Sequence, residues 1–186
     1  MAAPYQPSLL RVLHGLSALL IGLCWFTGLA VVSEFDGRWG RVPLRLPEAI
    51  DLHGTVAVLL ILVSALFVPY ALTLGRARLR LRRPANAVAL LALLLCLGSG
   101  KLMQEDWLRD GALDHLAYHL HLLAWAVLTG AVLWHLIALL QRGGPALTLS
   151  MLQWRIRPGD APGHWPGQLR RFFGFPPSPP PAGPPD

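Results

Sequence analysis

"HLLAWAVLTGAVLWH", residues 121–135, decides how the chain folds. It lies within an apolar run, Leu122–Leu140, whose one ionisable group is His135. A hydrocarbon core about 30 Å thick needs about 20 such residues in one helix. Ionisable side chains in such a segment are expensive and mark functional positions. An α-helix turns about 100° and rises about 1.5 Å per residue, so fourteen residues fall about 40° short of four full turns. His121 and His135 therefore share one helix face, roughly 21 Å apart along the axis. By the same count His115 and His119 lie about 160° from His135. They stand at the helix mouth beside Asp114 and Tyr118 and read as rim residues. His119 is the fallback if the helix is distorted.

The rest of the chain repeats the apolar pattern. Of its 186 residues 54% are hydrophobic and 14% charged, against about 25% charged in soluble domains. Val12–Val32 holds His14 alone as an ionisable group, and neither Gly54–Leu74 nor Ala85–Gly100 has any. Four transmembrane helices follow, at about 9–32, 49–74, 86–104 and 114–141. The third is short and reaches Met103 with Lys101 snorkelling. The first run is longer than the apolar region of a signal peptide and has no clear small-x-small cleavage site after it, so it reads as a helix.

Net charge is +6, and its placement argues for topology rather than nucleic acid. With the N-terminus inside, the inner segments hold eleven of sixteen basic residues, including "RARLRLRR" at 76–83, and the outer loops hold eight of ten acids. This is the positive-inside pattern, with both termini cytoplasmic and the basic loop near anionic lipid. Cys24 and Cys96 sit inside apolar runs and read as small hydrophobes; no C-x-x-C-H is present. No repeat of 20–50 residues is visible, and no phosphate loop, nucleophile elbow or metalloprotease motif appears. The short connections predict an all-α integral membrane protein, an antiparallel four-helix bundle. It occupies residues 1–142. Residues 143–175 form an aromatic, basic segment that lies on the inner surface or docks a partner. Residues 176–186 belong to a Pro-rich tail, "FPPSPPPAGPPD", expected to be extended.

Antiparallel topology sets the depth of each histidine. His14 opens helix one on the inner side, level with His135. His53 opens helix two on the outer side, level with His121. Two pairs result, His14–His135 and His53–His121. Two neutral imidazoles facing each other in an apolar bundle suit a low-spin haem iron. A bare divalent metal wants more ligands, and no Asp, Glu or Cys lies at the right depth. The bundle is thus expected to enclose two haem b groups, with His14, His53, His121 and His135 as iron ligands. Gly28, fourteen residues after His14, lets a porphyrin approach or simply packs helices closely. Arg11, one turn before His14, pairs with a haem propionate or anchors the helix at the interface. Histidines that only bridge helices by hydrogen bonds are the bland alternative. A haem-free transporter finds no inverted repeat, broken helix or buried acid to support it. His164 is assigned no role.

With "RVLHGLSALL", "LHGTVAVLL" and "HLLAWAVLTGAVLWHL" in view, the chain resembles the prokaryotic cytochrome b561 family, which includes the b-type cytochrome subunits of nickel–iron hydrogenases. The resemblance covers about residues 8–142. It implies that Arg11 and His14 open the first element, that His53 is the second, and that His121 and His135 are the third, together ligating two b haems. Gly15 stands where an aromatic residue is frequent, and helix four has one inner histidine where relatives often have two. The resemblance also implies electron transfer with quinone in a bacterial inner membrane. The chain would serve a dehydrogenase- or hydrogenase-like redox partner, or act alone as a quinone-linked oxidoreductase, some relatives oxidising superoxide at the outer face. Trp39, Trp107 and the Lys101 region are the expected border of a quinone site.

Overall fold

A computed structural model describes residues 5–43, 46–79, 83–103, 105–153 and 155–172. The Pro-rich stretch 176–186 lies outside the described residues. The helices are α1 (Ser8–Phe35), α2 (Ala49–Leu72), α3 (Arg76–Leu79), α4 (Pro84–Leu102), α5 (Glu105–Arg109), α6 (Leu116–Ser150) and α7 (Trp165–Phe172). No strand occurs among the described residues. Four helices are long and apolar enough to cross a membrane: α1, α2, α4 and the Leu116–Gln141 part of α6.

Local chemistry sets the helix ends. Pro84 opens α4 at a position where its missing N–H has no intrahelical partner to lose. Asp36 ends α1 and accepts a bond from the Arg38 N–H, starting the 3-10 turn Gly37–Trp39. α6 breaks at Gly144, whose φ of 57° and ψ of −166° suit a residue without a Cβ, and Pro145 restarts the helix beyond it. The membrane-length part of α6 is Leu116–Gln141.

The four long helices pack as two hairpins. α1 lies closely along α2, and α4 along α6, while backbones of different hairpins approach sparsely. Side chains pack in three layers, of which the middle and distal ones close the space between the hairpins. Near the start of α1, here the proximal end, Leu10 and Leu13 meet Phe67 and Tyr70 within the first hairpin. In the middle Leu20 and Leu60 meet Ala92, Leu93 and Leu128. At the distal end Val31 and Ile50 meet Leu108 and Tyr118. The outward faces are leucine-rich: Leu62, Leu66 and Leu91 are 61%, 63% and 65% exposed. Water does not tolerate such a surface as a continuous band, and lipid does.

The segment after the kink folds back on the start of α1. The Asp160 carboxylate accepts from the Tyr5 hydroxyl at 2.5 Å and from the Ser8 backbone N–H at 2.7 Å. The Ser8 hydroxyl donates to the Asp160 carbonyl and accepts from the Trp165 indole N–H at 2.9 Å. Arg11 Nη2 donates to the Arg155 carbonyl at 3.0 Å. Burial works to raise the Asp160 carboxyl pKa, but the bonds from Tyr5 and Ser8 outweigh it and leave the group below its ordinary value.

Candidate functional site

Two pairs of imidazoles span the gap between the hairpins. At the proximal end the His14 and His135 rings have centroids 6.4 Å apart. At the distal end those of His53 and His121 are 6.2 Å apart. No group of three or more His, Cys, Asp or Glu comes together among the described residues. Two nitrogen ligands on opposite sides suit an ion whose other positions are filled by a macrocycle. Two bonds of about 2 Å to one ion, with about 1 Å inside each ring, put such centroids roughly 6 Å apart. Both pairs meet that requirement.

The hydrogen bonds assign the nitrogens. The Thr27 hydroxyl donates to the Leu23 carbonyl at 2.8 Å and lies 2.9 Å from His53 Nδ1. A hydroxyl has one hydrogen, so Thr27 Oγ1 accepts and His53 Nδ1 donates. Ser99 repeats this: its hydroxyl donates to the Leu95 carbonyl at 2.6 Å and lies 3.1 Å from His121 Nδ1. His121 Nδ1 also lies 3.1 Å from the Cys96 carbonyl, which can only accept. On the proximal side the Asn86 amide nitrogen donates to the Leu79 carbonyl at 2.6 Å. Its oxygen therefore turns to His135 Nδ1, at 2.9 Å. Three imidazoles thus carry their proton on Nδ1 and keep an Nε2 lone pair for a metal. His14 meets the edge of Phe67 at 6.2 Å.

Glycine makes room for the distal rings. A Cβ on Gly28 would stand 3.2 Å from His53 Cε1, and one on Gly100 3.1 Å from His121 Cε1. The bare backbone at Gly28 accommodates the histidine ring itself. Between the two pairs Trp25 stacks on Trp125 with centroids 5.7 Å apart, and its N–H donates to Thr129 Oγ1 at 3.1 Å. Arg11 is buried at 9% exposure, and its Nε and Nη1 have no partner. Buried guanidinium nitrogens without acceptors are costly, and they fit an anionic group near His14.

Asp36, fully buried, closes the distal end. It accepts from Arg38 Nε and Nη2 at 2.8 and 2.9 Å and from the Tyr118 hydroxyl at 2.7 Å. The Arg38 guanidinium, helped by Tyr118, holds the Asp36 carboxyl well below the usual carboxylate range. His115 stacks on Trp107 at 3.7 Å, and His119 is exposed beside Tyr118. Trp39 stands 71% exposed on its turn, and Lys101 is exposed at the end of α4.

Sequence reasoning missed Thr27, Ser99, Gly100 and Asn86. A signal for the first three was present: Cys24-x-x-Thr27-Gly28 and Cys96-x-x-Ser99-Gly100 recur on the first helix of each hairpin. Their offset exceeds the 20–50 residues of common repeats. A family model described as prokaryotic cytochrome b561 matches residues 5–154. No curated protein and no solved structure matches the chain.

Proposed function

The chain belongs to the prokaryotic cytochrome b561 family, and from that premise we propose that this multi-pass membrane b-type cytochrome carries electrons between a redox partner and quinone over two bis-histidine haems. His14 and His135 hold one haem and His53 and His121 the other. Haem iron supplies a one-electron exchange between its ferric and ferrous states. The observation that carries this reading is the pair of ring separations, 6.4 and 6.2 Å, with Nδ1 engaged on three of the four rings.

The residues of the chain orient and insulate. Thr27, Ser99 and Asn86 turn the Nε2 atoms of their histidines inward. Arg11 meets a propionate with its two unpartnered nitrogens. Leu20, Leu60 and Leu128 exclude water from the middle of the bundle. The Trp25–Trp125 stack fills the space between the sites with polarizable rings. Quinone meets the protein at the membrane boundary, with Trp39, Trp107 and Lys101 as its border. The inner membrane of a bacterium, with both termini cytoplasmic, suits the distribution of basic residues.

A second reading is a stand-alone quinone-linked oxidoreductase, superoxide oxidation included. The fold-back of the C-terminal segment favours it: Asp160 and Trp165 engage the chain's own α1 rather than standing open to a partner. The test is a reduced-minus-oxidised spectrum with a pyridine haemochrome count on the purified chain. About two low-spin b haems are expected, falling to about one in His14→Ala, His53→Ala, His121→Ala or His135→Ala. A colourless chain after haem-sufficient expression defeats the reading. The four histidines would then be helix-bridging hydrogen bonders.

A further inference from the structure

The recurrence of Cys-x-x-Thr/Ser-Gly in both hairpins does more than make room. We propose that the Thr27 and Ser99 hydroxyls are positioning residues that set the electron affinity of the distal site through the Nδ1 protons of His53 and His121. The inference rests on the two-haem reading. It adds roles for residues that touch neither iron nor substrate.

Each hydroxyl is held in one orientation. Thr27 and Ser99 are both 4% exposed, and each donates its proton back to the carbonyl four residues earlier in its own helix. The oxygen lone pair is thereby committed to the neighbouring ring. The next residue, Gly28 or Gly100, lets that ring seat against the backbone at 3.2 or 3.1 Å. One helix of each hairpin thus supplies hydroxyl and glycine, and the other supplies the histidine. The distal site receives the same device from both sides. The proximal site does not: His135 is held by the Asn86 amide and His14 packs on Phe67.

A hydrogen bond from Nδ1–H raises the basicity of a metal-bound imidazole. A more basic ligand favours the ferric over the ferrous ion, so the two hydroxyls lower the distal reduction potential. The two rings are held alike. His121 Nδ1 also has the Cys96 carbonyl at 3.1 Å as a second acceptor, and His53 has the equivalent Cys24 backbone. Removing either hydroxyl leaves that backbone acceptor in place, so Thr27 and Ser99 have comparable effects.

The experiment is an optical redox titration of the full-length, haem-loaded protein, with the distal transition assigned by its loss in His53→Ala. Thr27→Val is expected to shift distal reduction about tenfold toward the ferrous form, about 59 mV for one electron. Ser99→Ala should shift it in the same direction by a similar amount, and Thr27→Ser and Ser99→Thr should keep the parent value. The proximal transition and the low-spin spectrum should stay unchanged. A distal potential unmoved in Thr27→Val and Ser99→Ala overturns the inference alone. So does a shift that Thr27→Ser shares, because packing would then be the cause. If one variant does not assemble, the hydroxyl in the other hairpin gives the same readout. A parent chain without haem between His53 and His121 overturns this inference together with the two-haem function.

Discussion

Gly28 within α1 and Asp36 just past its end guard the distal site by different physics. Gly28 acts by absence. With a Cβ already within 3.2 Å of His53 Cε1, a longer side chain must expel the ring. Gly28→Leu is expected to cost the distal haem and spare the proximal one, lowering the haemochrome count from about two to about one per chain. Asp36 acts by charge. Its carboxyl is held low by Arg38 and Tyr118, so its contribution to stability is complete above the unfolded value of about 3.9 and fades as pH falls below that. Asp36→Asn should therefore lose less stability than the parent as pH falls from about 4 to about 2 in detergent unfolding titrations. An equal loss in both chains would assign the acid sensitivity to other carboxylates. The four paired histidines were legible in the sequence because ionisable groups stand out in apolar runs. Thr27 and Ser99 were passed over despite the recurring Cys-x-x-Thr/Ser-Gly, because a hydroxyl in a membrane helix usually bonds only its own backbone.

α1 begins without a cap of its own. Pro7 precedes it and makes no side-chain bond to the first turn. The missing acceptor comes from far along the chain, where the Asp160 carboxylate takes the Ser8 N–H and places negative charge at the positive end of the helix. Asp160→Ala should cost about 1 kcal/mol, in the range of lost N-caps. It should also speed amide exchange at the start of α1 and loosen Trp165, read by hydrogen exchange and indole fluorescence. Unchanged exchange at Ser8–Arg11 would mean that the segment rests on α1 without capping it. The helices themselves were legible from apolar length. α1 runs to Phe35 rather than ending near 32, because Glu34 turns outward at the helix end. The fold-back of 155–165 was not legible, since one aspartate in a Gly- and Pro-rich stretch carries no mark of its distant partner.

At the scale of the whole molecule, two tight hairpins face each other across a seam closed by side chains: the two histidine pairs, the Trp25–Trp125 stack and the Asp36–Tyr118 bond. A ligand gripped by both hairpins stabilises their association by mass action, about 2.7 kcal/mol at a hundredfold excess over its dissociation constant. Protein made under haem starvation should therefore unfold at lower temperature than loaded protein, with extra amide exchange along the seam. Equal melting temperatures would place the cofactor outside the seam. The four spans, the antiparallel order and the depth of each histidine follow from local quantities, namely apolar length, helical rise and alternating direction, so the sequence alone carries them. The pairing of helices into hairpins, the Nδ1 acceptors and the cap from Asp160 join residues far apart in the chain. They depend on which surfaces meet, and local pattern does not encode that.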